Sequence, residues 1–300
     1  MNRFLWLGIL LSVLLVGLWS AGDPVQAGQS GSYHLVGEWA TFPSGIEFGP
    51  VASVAHTADG IMHVLRRGEP AFFTLDRNGK FLRSWGEDIF DWSHGLRVDR
   101  DGFIWATDGR AHEVMKFSPS GERLMTLGKR GVAGDGPDTF NRPTDVVVAH
   151  NGDFFVTDGY GNSRVLKFSK DGKFIKTWGT KGTAPGQFNL PHTIVMDSAG
   201  MLLVGDRENH RIQIFDQDGN FLDQWTHLGA PYGLYMAPDD TLFMVEGELD
   251  DLLIVDGRTG ELRERIDGLE LSHWVSMDPE GNVYVAEVHD GLSVKKFAPR

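Results

Sequence analysis

Apolar runs of four to six residues alternate with polar turns along most of this chain, and the turns recur in register. Aligned on the turn that follows each first run, six copies stand out: Thr57-Ala-Asp-Gly60, Asp99-Arg-Asp-Gly102, Ala149-His-Asn-Gly152, Asp197-Ser-Ala-Gly200, Ala237-Pro-Asp-Asp240 and Asp278-Pro-Glu-Gly281. Their last residues lie 42, 50, 48, 40 and 41 positions apart. A repeat of that length marks a propeller or solenoid, in which each unit buries its apolar face against the next. Within a copy the turn leads into a second apolar run (Ile104–Asp108, Phe154–Asp158, Leu202–Asp206, Val283–Glu287), a polar loop, and a third run ending in phenylalanine (Val114–Phe117, Val165–Phe168, Ile212–Phe215). A second turn such as Lys170-Asp-Gly-Lys173 follows, and then a fourth run ending near Trp85, Leu127, Trp178 or Trp225. Runs this short, joined by turns whose glycines supply positive φ, predict strands in hairpins rather than helices. Four antiparallel strands per unit make a propeller blade.

The sixth copy ends at Phe297-Ala-Pro-Arg300, one strand short, while Ser32–Trp39 at the other end has the pattern of a fourth strand. The sequence therefore predicts an all-β fold, a six-bladed β-propeller over residues 31–300. Its N-terminal strand completes the last blade, which removes the open edges of the ring.

Composition narrows the function. A formal charge of −13 excludes a nucleic-acid partner, because phosphate binding needs a basic field. The lack of cysteine removes disulfides and thiolate ligands, leaving His, Asp and Glu to hold any transition metal. Ahead of the repeats, Met1-Asn-Arg3 precedes an apolar run from Phe4 to Trp19, and Val25-Gln-Ala27 has the small-x-small form of a cleavage site. Residues 1–27 read as an export signal peptide, the alternative being an uncleaved membrane anchor. Either places the ring outside the cytoplasm, secreted or periplasmic, with a membrane reached only through that segment.

The register of the repeats picks out candidate chemistry. Each blade begins with its innermost strand, so the residue eight positions before the end of each landmark turn falls where that strand starts, near the axis on one face. Those positions hold Ala52, His94, Thr144, His192, Tyr232 and His273. Histidine thus occupies alternate blades, about 120° apart around a six-bladed ring. Three imidazoles in that arrangement suit a tetrahedral metal with one open position. Zinc is the default choice, although imidazole also suits copper, iron and nickel. The competing reading is a trio of merely hydrogen-bonded channel histidines. Strand two returns to the same face, so residues seven or eight after the landmark glycine rim this centre: Arg67, Tyr160 and Arg207. Two arginines can hold a carboxylate, and a tyrosine beside a cation can move a proton. Alternatively, either arginine pairs with Glu69, Asp206 or Glu208, and the tyrosine packs in its loop.

Stretches such as Pro185-Gly-Gln-Phe188-Asn-Leu-Pro191 followed by Val195–Gly200 and Arg211–Phe215 resemble the NHL repeat. Ser93-His94-Gly-Leu96, Thr157-Asp-Gly-Tyr160-Gly-Asn-Ser-Arg164, Pro191-His192 and Gly205-Asp206-Arg207-Glu208-Asn209 together resemble the peptidyl-α-hydroxyglycine α-amidating lyases (peptidylamidoglycolate lyases). That resemblance implies zinc on His94, His192 and His273, a catalytic tyrosine at Tyr160, and catalytic arginines at Arg67 and Arg207. It implies a lyase cleaving the N–C bond of a substrate with a hydroxyglycine-like end, a small molecule or a peptide, to an amide and glyoxylate. It also implies a structural Ca2+ in the channel, held in the family by an aspartate after the third histidine, where this chain has Trp274. Two other functions fit the residues: a non-catalytic exported propeller serving as a protein- or peptide-binding scaffold, and a metal-dependent hydrolase on the same ring.

Overall fold

The structure is a computed structural model and describes residues 31–291 and 293–300. The expected export segment, residues 1–27, lies outside the described residues. Six four-stranded antiparallel sheets make the six blades. The innermost strands are Val51–His56, Ser93–Val98, Pro143–Val148, Pro191–Met196, Pro231–Met236 and Ser272–Met277. In five blades the strands follow one another in chain order. In the sixth, Tyr33–Val36 supplies the outer strand by pairing with Val294–Pro299, from Tyr33 opposite Pro299 to Val36 opposite Lys296. The ring closure expected from the truncated last repeat is therefore present.

Position in the blade sets the burial pattern. Second strands such as Ile104–Asp108, Phe154–Asp158 and Leu202–Asp206 are buried at every residue, because neighbouring blades cover both faces. Outer strands such as Phe81–Trp85 alternate with solvent. The core is a set of inter-blade layers: Val195, Leu203 and Ile212 of blade four meet Leu234, Leu242 and Met244 of blade five. At the closure, Trp39 packs with Phe48, Val64 and Tyr284, and its indole N–H donates to the Val294 carbonyl at 3.0 Å. Burying one such aromatic contributes on the order of 2–3 kcal/mol. Among the described residues no helix is long and apolar enough to cross a membrane.

One irregularity recurs in all six blades. The pairing of strands one and two slips by a residue at the start of the inner strand: between Val51 and Ser53, Ser93 and Leu96, Pro143 and Asp145, Pro191 and Thr193, Pro231 and Gly233, and Ser272 and Trp274. These are β-bulges, which re-aim a side chain out of the alternation of a strand. The residues they release are the register positions Ala52, His94, Thr144, His192, Tyr232 and His273.

Candidate functional site

The bulges turn His94, His192 and His273 toward one point on the axis. All three are buried, and one nitrogen from each lies within 4.8 Å of the others, the one such group of three donors found among the described residues. Each ring is aimed from behind by a backbone carbonyl. His94 Nδ1 lies 2.8 Å from the Thr144 carbonyl, His192 Nδ1 2.6 Å from that of Tyr232, and His273 Nδ1 2.7 Å from that of Ala52. A carbonyl only accepts, so each Nδ1 carries the proton and each Nε2 presents a lone pair to the shared point.

That arrangement fits a metal. Nε2 of His94 and Nε2 of His192 stand 3.1 Å apart, and a hydrogen bond between them would require one ring to turn an unprotonated Nδ1 against a carbonyl. His273 Nε2 is buried with no hydrogen-bond partner among the described residues. The single proton of the Tyr160 hydroxyl can satisfy only one of the His94 and His192 lone pairs, and the rest converge unfavourably unless a cation takes them. Burial, reinforced by the other imidazoles and the nearby arginines, pushes His94 and His192 well below the usual imidazole value. His273 is pushed down to about 3, by burial and then by Arg67. All three rings are neutral at neutral pH, the state that binds a metal.

Tyr160 stands over the lone pairs. Its hydroxyl lies 3.2 Å from His94 Nε2 and 3.0 Å from His192 Nε2, and accepts from Arg207 Nη1 at 3.3 Å. Burial raises its pKa, against the lowering effect of Arg207 and Arg67. The Asp-Gly-Tyr turn that carries it requires glycine: a Cβ on Gly159 would stand 2.1 Å from the Pro191 carbonyl oxygen. Asp158 closes the turn by accepting from Asn141 N at 2.8 Å and Arg164 Nε at 3.0 Å.

Arg207 begins a single 3-10 turn, Arg207–Asn209, directly after the second strand of blade four. It pairs with Glu208 at 2.8 Å while covering the Tyr160 and Tyr232 rings. Asp206 pairs instead with Arg211, at 2.8 Å. Arg67 stands on the opposite rim, its guanidinium 5.5 Å from the Trp92 ring and its Nε buried without a hydrogen-bond partner among the described residues. Trp92, which the repeat register did not single out, lies 5.0 Å from Tyr160 and 5.7 Å from His94 between ring centroids. With Arg67 and Phe90 it lines a pocket of about 320 Å³ beside the histidines. Larger depressions of about 600 and 590 Å³ lie among outer turns, around His150 and Lys170 and around Tyr33 and Phe243, away from this centre.

Fold and site together define a six-bladed NHL-type β-propeller with three convergent histidines on its axis. The NHL repeat family matches residues 140–168 and 188–215. Peptidyl-glycine alpha-amidating monooxygenase B of Xenopus laevis is 37% identical over 77% of this chain, and the chain spans 29% of that protein's length. The probable peptidyl-alpha-hydroxyglycine alpha-amidating lyase of Caenorhabditis elegans is 30% identical, covering 71% of this chain and 66% of its own length. NHL repeat-containing protein 3 of Mus musculus is 30% identical, over 80% of this chain and 77% of its own. Among solved structures, a streptogramin B lyase superposes with a TM-score of 0.65 at 17% identity, over 89% of this chain and 98% of its own, a likeness of fold alone. The chain belongs to the NHL-repeat proteins, and relatives 30–40% identical to it are named peptidyl-alpha-hydroxyglycine alpha-amidating lyases.

Proposed function

We propose that the ring is a zinc-dependent carbon–nitrogen lyase that splits a peptidyl-α-hydroxyglycine-like substrate, R-CO-NH-CH(OH)-COO⁻, into the amide R-CO-NH2 and glyoxylate. One observation carries the reading: the Tyr160 hydroxyl lies within hydrogen-bond reach of two converging imidazoles and of the Arg207 guanidinium. The names of relatives similar over most of this chain support it.

Zinc held by Nε2 of His94, His192 and His273 would supply Lewis-acid polarisation of a substrate oxygen. This chain's residues do the rest. Arg67, whose Nε has no partner among the described residues, and Arg207 bind the carboxylate from opposite sides and fix the hemiaminal carbon over the histidines. Tyr160 accepts the proton of the substrate hydroxyl and passes its own to the amide nitrogen, so the phenol ends as it began. The hydroxyl O–H pair becomes the second C–O bond of the aldehyde, and the N–C pair leaves on nitrogen. No water or oxidant enters. Burial keeps the phenol protonated, which suits a relay of this kind. Trp92 and Phe90 offer an apolar wall to the R group in the adjoining pocket.

The test is glyoxylate release from α-hydroxyhippurate by the purified chain, before and after removal of zinc. Zinc-dependent release is expected. Failure to release glyoxylate with zinc bound would reject the reaction.

A further inference from the structure

The calcium that the family resemblance implies lacks its expected carboxylate ligand in this channel. Calcium takes six to eight oxygen ligands, and the residue after His273 is Trp274, fully buried, whose indole offers none. Beneath the histidines stands the guanidinium of Arg97, three residues after His94 on the inner strand of blade two. Its Nε donates to Asp145 Oδ1 at 3.0 Å and its Nη2 to Asp145 Oδ2 at 2.6 Å. Nη1 donates to the Leu234 carbonyl at 2.9 Å, and Nη2 also reaches Thr193 Oγ1 at 3.2 Å. The plane of the group lies over Trp274, 4.6 Å from the ring centroid. Asp145 has no oxygen to spare, since Oδ2 also accepts from Thr193 Oγ1 and Ile194 N, both at 2.9 Å, and Oδ1 accepts from Val146 N at 2.7 Å.

One cation therefore ties blade two to blades three, four, five and six. Its partners lie beside the site residues in sequence. Asp145 follows Thr144, whose carbonyl aims His94; Thr193 follows His192; Leu234 is two residues from Tyr232, whose carbonyl aims His192; Trp274 follows His273. We propose that the Arg97 guanidinium is the resident cation of the channel, paired with Asp145 and stacked on Trp274, and that it replaces a bound calcium ion in holding the blades together beneath the histidines. An indole face and a guanidinium are mutually suited, whereas the indole offers a calcium ion no oxygen ligand.

The test is independent of the reaction. The full chain, stripped with EGTA, is melted with and without about 1 mM CaCl2 and titrated calorimetrically with calcium over that range. The expected result is a melting temperature unchanged within about 1 °C and no calcium uptake. Stoichiometric calcium binding that raises the melting temperature by several degrees would overturn the proposal. Arg97→Met strands the buried Asp145 carboxylate and should lower the melting temperature by roughly 6–10 °C, with no recovery on adding calcium. Arg97→Lys keeps the charge and should recover part of that loss. A lysine variant no better than the methionine variant would refute the role of a charged bridge.

Discussion

Tyr160→Phe is the sharpest perturbation of the proposed reaction, because the structure separates what the ring does from what the hydroxyl does. The aromatic face packs against Trp92, His94 and the Arg207 guanidinium, at 5.0, 5.2 and 5.4 Å, and phenylalanine retains all three contacts. The lost hydroxyl bonds cost on the order of 1 kcal/mol of stability, too little to unfold a closed ring. The histidines keep their carbonyl partners on Thr144, Tyr232 and Ala52, so zinc stoichiometry should hold. What disappears is the proton relay, worth roughly 10²–10³-fold in kcat, or about 3–4 kcal/mol of barrier at 1.36 kcal/mol per decade. KM should stay within about threefold, since the arginines and not the phenol bind the carboxylate. The assay is steady-state glyoxylate release from α-hydroxyhippurate with zinc measured on the same sample. A kcat within about tenfold of wild type at full zinc occupancy would refute the relay. A loss of zinc in the variant would instead make Tyr160 a support for the histidines.

Three further outcomes are expected. His192→Ala should lower bound zinc, measured by mass spectrometry after dialysis, from about one per chain to well below stoichiometry; unchanged zinc would move the metal elsewhere. Arg207→Gln removes the partner of both Tyr160 and the substrate carboxylate, and kcat/KM should fall by roughly 10–100-fold for the acid but much less for its methyl ester. Equal losses on both substrates would deny Arg207 a role in binding the carboxylate. Acid should destabilise the metal-free protein. Burial holds His56 and His273 down to about 3 and His63 to about 4, so below pH 6.5 the unfolded chain takes up protons that the folded chain refuses. Their neutral forms are fully accommodated above that value, and each group then removes up to about 1.4 kcal/mol per pH unit as pH falls toward its folded value. Melting temperature followed from pH 7 to 5 should drop steadily, and a flat profile would contradict the burial of these neutral rings.

The architecture was legible because a propeller repeats its grammar. The turn at Gly102, Gly152 and Gly200 fixed the phase of every blade, and the missing fourth strand after Phe297 pointed back to Ser32–Trp39. The same phase drew His94, His192 and His273 into one set, and the structure places their nitrogens together. It could not show what aims them. Ala52, Thr144 and Tyr232 occupied the alternate register positions as residues without chemistry, yet their carbonyls accept the Nδ1 protons of His273, His94 and His192. Every residue type carries a carbonyl, so sequence holds no mark of that role. The bulge that exposes it is a backbone slip, equally silent in side-chain pattern. Trp92 was missed for a related reason: it precedes the inner strand, outside the repeating positions, and reaches the site through a loop.

Trp274 shows how a substitution can be seen in sequence while its meaning stays hidden. On its own, an indole where an aspartate is expected says only that one calcium ligand is absent. Arg97 supplied no independent signal, since an arginine on an innermost strand could as well face an outer loop. Their connection exists only in three dimensions, where strands from blades two and six meet across the axis and the guanidinium lies on the ring at 4.6 Å. Asp145, in blade three, completes the set with both oxygens engaged. A divalent ion bridging several blades and a guanidinium bonded to several blades meet the same requirement, a fixed link beneath three imidazoles whose neighbours must not move. The guanidinium is bonded covalently to the fold and cannot dissociate. On that proposal the ring keeps its histidines in place without drawing on calcium from its surroundings.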